Sequence, residues 1–358
     1  MRRFDRLTAL PPLEFALAVE CCAPAADRAA KAKQFADNVD WTRFLALCRR
    51  HRIQGVVWRA IERFGLVLPE DIASQFAADA VQIATDGLKS ASTAARLLGE
   101  FTNAGIPILF VKGLSLSKLA YDDPFVKMSH DIDVLVPVEK IDHAAARLIC
   151  MGYAQALPRH RKLAAWHRVH KESVWTRRGY PTIELHSRLA DNRRLIPAVG
   201  LLSPVQRVEI APGVELPTLA PDELIAYLCV HGASSAWFRL KWIADLAALL
   251  DRYEPAEIDR VAARAVQLGA GRSVPAALRL ARELFGLTLG PATERAAAIP
   301  LNRWLAQIAM RELLDPVEPT RQRLGTIAIH ASQLFLMPGA AFMASELLRQ
   351  VRAALANA

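Results

Sequence analysis

The stretch Asp131-Ile-Asp-Val-Leu-Val-Pro137 decides how the central part of this chain folds. Its branched and aliphatic residues are typical of a buried strand, and its two aspartates stand two positions apart. Because alternate side chains of a strand point to the same side, Asp131 and Asp133 project together while Ile132 enters the core. Like charges this close raise each other's pKa unless a cation lies between them, and a divalent ion meets that need. The tripeptide alone leaves open a second interpretation, an exposed edge strand with two solvated aspartates.

A third acidic residue stands in another strand-like run, Thr182-Ile-Glu-Leu-His186. Glu184 is flanked there by apolar residues, and an acid in such a place is costly unless it is paired or bound to a metal. Three carboxylates on neighbouring strands can hold two Mg²⁺ ions, which clamp a triphosphate and activate an attacking oxygen. We therefore predict that Asp131, Asp133 and Glu184 are both the metal ligands and the catalytic residues.

A candidate phosphate-binding turn precedes the aspartates. The turn Lys112-Gly-Leu-Ser115 follows the strand-like run 106–111 and opens a short helix that is predicted to reach Ala120. Glycine there lets backbone N–H groups approach a phosphate, the helix N-terminus favours negative charge, and Lys112 can neutralise it. The motif is not a Walker A loop, and a plain strand-to-helix turn is the alternative interpretation.

Changes in hydrophobic period divide the chain into three predicted parts. Apolar residues at three- and four-residue steps predict a helical bundle over residues 1–104, and the same spacing returns over 215–358. Between them, residues 105–214 predict an α+β core with a small mixed sheet. The elements predicted in this core are strands at 106–111, 131–137, 168–176 and 181–186 and a helix at 139–151.

The composition is that of a globular protein, with 358 residues of which 53% are hydrophobic. The five cysteines are scattered without a CxxC pair, which indicates reduced thiols in a cytoplasmic protein. The basic, apolar start is interrupted by acids and by Pro11-Pro12, so it does not predict an export signal. The charge-free segment 325–343 is broken by Pro338-Gly339, and we predict two packed helices there rather than a membrane span. No membrane association is therefore expected.

The positive charge is concentrated in one part of the chain. The formal net charge is +9, and residues 147–194 alone contain eleven basic and three acidic residues. This basic belt brackets Glu184. A solvated face is one interpretation, and a funnel for a polyanion, either a nucleoside triphosphate (NTP) or a nucleic acid, is the other.

Taken together, three sequence blocks resemble a nucleotidyltransferase of the DNA polymerase β-like superfamily. They are similar in particular to the bacterial family known as uncharacterised nucleotidyltransferase. The blocks are residues 109–120, 121–136 and 183–189, and a helical block at 231–245 fits the helix that follows the catalytic domain in that family. The resemblance implies a minimal nucleotidyltransferase sheet, Mg²⁺ on the three carboxylates, and an NTP donor, for which we expect ATP.

The resemblance also suggests which residues steady the β- and γ-phosphates. These are Lys112, Gly113, Ser115 and Lys127. Relatives generally carry Gly-Ser where this chain has Lys112-Gly113, and Arg where it has Lys127, which keeps the charge but loses bidentate recognition of phosphate. Lys241 stands four residues before Asp245 on a predicted helix, so it either forms a surface ion pair or reaches the nucleotide phosphates.

The predicted function is Mg²⁺-dependent transfer of a nucleoside monophosphate to an acceptor hydroxyl, with release of pyrophosphate. The identity of the acceptor is left open: RNA, a protein side chain, a peptide and a glycan precursor are all compatible with the sequence. Two other interpretations also stay open: a catalytically weak module that senses nucleotides or acts as a scaffold, and a toxin-like enzyme that acts on tRNA. In a third, a purely helical binding protein, the paired aspartates have no role.

Overall fold

The computed structural model describes residues 11–23, 28–158, 162–200 and 205–357. They form a mixed α/β protein in which helices flank a five-stranded mixed sheet, and the predicted fold class is confirmed. The chain divides into two compact units, one made of Met1–Ala80 and Ile225–Ala358 and the other of Val81–Leu224. The three-part division of the sequence stays a prediction.

The first unit is helical. Its N-terminal helices are α1 (Leu13–Cys22), α2 (Ala29–Ala36), α3 (Trp41–His51), α4 (Gln54–Phe64) and the beginning of α5 (Glu70–Asn103). Its later helices are α9 (Pro221–Ser234), α10 (Leu240–Leu250), α11 (Pro255–Ala265), α12 (Ser273–Phe285), α13 (Pro291–Ala298), α14 (Pro300–Leu314), α15 (Ile327–Gln333) and α16 (Ala340–Asn357). Among the described residues we find no helix with the length and hydropathy needed to cross a lipid bilayer.

The second unit contains the sheet. Its strands are β1 (Leu109–Phe110), β2 (Asp131–Leu135), β3 (Ala154–Leu157), β4 (Glu172–Thr176) and β5 (Thr182–His186), in the spatial order β1-β2-β5-β4-β3. Strands β2 and β5 are parallel, and the other neighbours are antiparallel. The remaining elements are α6 (Leu114–Tyr121), α7 (Ile141–Cys150), α8 (Leu163–His167) and a hairpin of β6 (Gln206–Ala211) and β7 (Val214–Thr218).

One face of the sheet is apolar and forms the core of this unit. Val134 of β2 and Ile183 and Leu185 of β5 are fully buried there. They share a cluster with Leu97 of α5 and Leu148 of α7. Because side chains alternate along a strand, the residues between them project from the opposite face. The apolar core therefore leaves the other face of β2 and β5 for polar side chains.

The central predictions of secondary structure are confirmed, and some outer ones are wrong. Strands occur within 131–137 and 181–186, and a helix occurs within 139–151. The predicted strand 168–176 is wrong in its first half, because residues 168–171 follow α8 as a turn and pairing with β5 begins only at Glu172. The predicted strand 106–111 shortens to two residues, and β3 and the β6–β7 hairpin were not predicted.

Candidate functional site

The polar face of the sheet brings Asp133 and Glu184 side by side. Asp133 lies directly opposite Glu184 in the parallel pairing of β2 with β5, and Asp131 lies opposite Thr182. Directly paired residues of neighbouring strands project from the same face of a sheet. The predicted carboxylates of residues 131, 133 and 184 therefore share one face, opposite the apolar core.

A histidine that the sequence analysis did not assign to the site completes a group of potential ligands. Asp133, Glu184 and His186 each offer one ligand atom, and these atoms all lie within 4.8 Å of one another. Nε2 of His186 lies 3.1 Å from Oδ1 of Asp133 and 3.6 Å from Oε2 of Glu184. The signal that could have found it is the alternation used for the aspartates, because His186 stands two positions after Glu184 on the same strand.

Oδ1 of Asp133 is the most heavily engaged atom of the site. Nε2 of His186 lies within hydrogen-bond distance of it, and Nζ of Lys112 lies 3.0 Å away as an ion-pair partner. The other carboxylate oxygen, Oδ2, is buried and has no hydrogen-bond partner among the described residues. Since an ionised carboxylate accepts at both oxygens, one side of Asp133 is left for a ligand that the protein chain does not supply.

The surroundings of the site shift the pKa values of Asp133 and Glu184 in opposite directions. Burial opposes ionisation of Asp133, but the Lys112 ammonium and the hydrogen bond from His186 outweigh it, so the pKa of Asp133 lies well below its usual range. Burial raises the pKa of Glu184, and the charge of Asp133 raises it further. The surroundings therefore favour the ionised form of Asp133 and oppose ionisation of Glu184.

The predicted phosphate-binding turn lies beside these carboxylates. One cavity is lined by Lys112, Gly113, Lys127 and Asp131, together with Ser129. Asp131 is only partly buried, and it faces this cavity rather than joining the tight group around His186. The structure thus brings two of the predicted phosphate-binding lysines next to one of the predicted metal ligands.

Ser115 and Lys241 are the two other side chains that are predicted to contact phosphate. Ser115 is fully buried, and its hydroxyl has no hydrogen-bond partner among the described residues. Lys241 lies in the first turn of α10, in the helical unit, one turn before the buried Asp245. A role for either side chain in binding phosphate stays a prediction.

The basic belt divides into structural and exposed residues. Arg188 donates hydrogen bonds to three backbone carbonyls, and Arg147 and Lys171 form ion pairs with nearby glutamates. Residues 159–161 of the belt lie outside the described residues. The exposed basic side chains are Lys162, Arg168, Arg178, Arg193 and Arg194. These five are the part of the belt that is able to meet a polyanion in solution.

The glycine of the turn has a backbone conformation that other residues rarely adopt. Gly113 immediately precedes α6 with φ of 73° and ψ of −124°. A Cβ atom there would meet only Oγ of Ser129 at 3.5 Å, an ordinary van der Waals contact. The need for glycine is therefore conformational rather than steric.

We expect Gly113→Ala to lower the free energy of unfolding by about 1–3 kcal/mol, because alanine is strained at this φ. Gly99→Ala is the matched control, since Gly99 lies within α5 with no atom within 4 Å of an added Cβ. The control is expected to raise the free energy of unfolding by about 0.5–1 kcal/mol. Urea denaturation of both variants measures the difference. Equal effects of the two substitutions would contradict the conformational argument.

Comparison with known proteins identifies a family for most of the chain. The model of a family described as uncharacterised nucleotidyltransferase matches residues 37–286, which include the whole sheet and the turn at Gly113. No curated protein matches the sequence.

Proposed function

Because the chain belongs to the uncharacterised nucleotidyltransferase family, we propose that it transfers a nucleoside monophosphate from an NTP to an acceptor hydroxyl. ATP is the expected donor. In this reaction the acceptor oxygen forms a bond to the α-phosphorus, the bond from that phosphorus to the β-phosphate oxygen breaks, and pyrophosphate leaves. The observation that carries the proposal is the parallel register of β2 and β5, which sets the Asp133 and Glu184 carboxylates side by side.

The donor atoms of the site fit the divalent cations that the family implies. Asp131, Asp133 and Glu184 supply carboxylate oxygens, the ligands that Mg²⁺ prefers. Oδ2 of Asp133 is buried without a hydrogen-bond partner among the described residues, which is the condition expected of an oxygen that binds a cation. In the proposal, Asp131 and Asp133 hold both ions and Glu184 holds the one nearer the acceptor. When bound, Mg²⁺ would neutralise phosphate charge and make the acceptor hydroxyl more acidic.

The remaining residues have separate tasks in the proposal. Lys112 and Lys127 line the cavity and would neutralise the triphosphate, while the backbone at Gly113 permits its close approach. In the proposal, Glu184 would also accept the proton of the acceptor hydroxyl. Asp133 is buried between these groups, and burial strengthens the electrostatic effects at its carboxylate.

A nucleotide-sensing module is the second candidate, and two observations favour it. The Ser115 hydroxyl, a predicted phosphate contact, is fully buried. Lys112 already forms an ion pair with Asp133, one of the carboxylates needed for the cations. Such a module would bind NTP in the presence of Mg²⁺ without turnover.

The experiment that tests transfer compares two radioactive labels. The protein, Mg²⁺ and bacterial extract are incubated with ATP labelled either at the α- or at the γ-phosphorus. We expect the α-label to be retained on a macromolecule and the γ-label to be released. The double variant Asp131→Asn/Asp133→Asn is expected to abolish labelling, and the exposed Asp142→Asn of α7 serves as the control.

Three outcomes of this experiment separate the candidates. Retention of the γ-label would indicate phosphoryl rather than nucleotidyl transfer. Full labelling by the double aspartate variant would overturn the assignment of the site. Tight, Mg²⁺-dependent binding of a non-hydrolysable NTP without any labelling would favour the sensing module.

A further inference from the structure

His186 is placed among the carboxylates as a ligand would be. It lies at the end of β5 with 3% of its surface exposed, so its ring nitrogens are shielded from bulk water. Nε2 lies 3.1 Å from an oxygen of Asp133 and 3.6 Å from one of Glu184, and one ligand atom from each of the three groups lies within 4.8 Å of the others, close enough to bind one cation. Imidazole nitrogen is a common ligand of transition-metal ions but a poor one for Mg²⁺.

The other nitrogen of His186 faces a second carboxylate, as is typical of metal-binding histidines. Glu172 of β4 lies directly opposite His186 in the antiparallel pairing of β4 with β5. Its Oε2 lies 3.3 Å from Nδ1 of His186, and Lys171 forms an ion pair with the same carboxylate. Nδ1 has no hydrogen-bond partner among the described residues, so Glu172 acts on the ring through its charge at this distance. A carboxylate that accepts a hydrogen bond from this nitrogen would fix the tautomer that leaves Nε2 free to bind a metal.

The charges of the described residues leave room for a dication. Four carboxylates share this part of the sheet: Asp131, Asp133, Glu172 and Glu184. Two ammonium groups, those of Lys112 and Lys171, lie within ion-pair distance of them. The carboxylates outnumber these two ammonium groups, and a divalent ion would reduce the excess of negative charge.

We propose that Nε2 of His186 is a protein ligand of the cation that Asp133 and Glu184 hold, so that this position prefers a transition-metal ion of the Mn²⁺ type over Mg²⁺. The inference deepens the proposed function and rests on it for the presence of a cation at this face. The second cation position, next to Asp131, has only oxygen ligands and suits the Mg²⁺ that accompanies an NTP. The site then has two chemically different cation positions.

A purely structural role for His186 explains less of the geometry. A histidine that only holds Oδ1 of Asp133 would leave Oδ2 of this carboxylate buried without a hydrogen-bond partner among the described residues. A charged ring paired with Glu172 and Glu184 would account for the position of Glu172, but not for the unpartnered Oδ2 of Asp133. Ligation by Nε2 accounts for the burial of the ring, the orientation of Asp133 and the position of Glu172 together.

Electron paramagnetic resonance with MnCl₂, in the absence of nucleotide, tests the inference without any assay of transfer. The wild-type protein is expected to bind one Mn²⁺ with echo modulation from a directly bound imidazole nitrogen. Its affinity for Mn²⁺ is expected to exceed that for Mg²⁺ about 100-fold. A spectrum of bound Mn²⁺ without nitrogen modulation, or no binding at all, would overturn the inference whatever the variants do.

Variants then assign the nitrogen. His186→Asn and His186→Gln are expected to lose the modulation and at least about 10-fold in Mn²⁺ affinity, with little change for Mg²⁺. Glu172→Gln is expected to keep the modulation and lose about 10-fold in affinity. His143→Gln, at an exposed histidine of α7, is the control. Modulation that persists in either folded His186 variant would overturn the inference.

The same measurements distinguish failure of this inference from failure of the proposed function. If bound Mn²⁺ is coupled to nitrogen but the protein labels no acceptor, the assignment of His186 as a ligand stands and the proposed transfer activity fails. If the protein transfers the α-label but its bound Mn²⁺ shows only oxygen ligands, the proposed function stands and His186 is not a ligand.

Discussion

Replacing Asp133 with Asn is expected to slow transfer of the α-label at least about 10³-fold, which corresponds to about 4 kcal/mol in the activation free energy. Asp133 is one of the two carboxylates that the proposal places on both cations. The amide keeps the shape of the side chain but removes the negative charge and one acceptor oxygen. Initial rates of label incorporation at saturating Mg²⁺ and ATP measure the effect.

The substitution is expected to leave the fold intact. Although Asn removes the ion pair with Lys112, it also removes the cost of burying a carboxylate, and the two effects partly cancel. We therefore expect the free energy of unfolding to change by no more than about 2 kcal/mol. Asp142→Asn, which removes the same charge from an exposed position, is the control for both measurements. If the Asp133 variant kept a tenth of the wild-type rate, Asp133 would not be a cation ligand in the reaction.

The alternation of side chains made the centre of this site predictable. Asp131 and Asp133 stand two positions apart in β2, so alternation alone places both acids on the same face, opposite Ile132 and Val134. The same reasoning places Glu184 on the polar face of β5. It applies equally to His186, two positions after Glu184 on β5, which the sequence analysis did not assign to the site.

The contacts between distant segments could not be predicted from local pattern. Whether Asp133 lies opposite Glu184 depends on the register of β2 against β5, and the two residues are 51 positions apart in the chain. The ion pair from Lys112 to Asp133 likewise depends on how the turn before α6 lies against the end of β2. Such contacts follow from tertiary packing rather than from the spacing of residues within one segment.

Strands β3 and β7 were not predicted, because residue propensities alone do not indicate a strand at either place. β3 has the sequence Ala154-Gln-Ala-Leu157, which lacks β-branched and aromatic residues, and it forms because β4 offers an edge for pairing. β7 contains Pro217, which predicts against a central strand, but this strand belongs to a two-stranded hairpin where every strand is an edge. In both cases the neighbouring strand, rather than the local sequence, determines that a strand forms.

Replacing Lys112 with Met is expected to move cation binding and transfer in opposite directions. Nζ of Lys112 lies 3.0 Å from Oδ1 of Asp133 and is a positive charge that a cation must displace from this carboxylate. Without it, we expect Mn²⁺ and Mg²⁺ to bind about 10-fold more tightly, a gain of about 1.4 kcal/mol. Calorimetric titration of each ion in the absence of nucleotide measures this gain.

Transfer by the same variant is expected to fall. In the reaction, the ammonium released from Asp133 would turn to the triphosphate, whose charge grows on the leaving pyrophosphate as the bond to the α-phosphorus breaks. Loss of that group is expected to lower kcat/KM for ATP about 10²-fold, by analogy with the removal of other preorganised charge partners of a transition state. Lys89→Met, which removes an exposed lysine of α5, is the control and should change neither measurement. If the ion pair between Lys112 and Asp133 were only structural, breaking it would weaken both cation binding and transfer. A loss of both in Lys112→Met would therefore refute the proposal that Lys112 moves from the Asp133 carboxylate to the triphosphate.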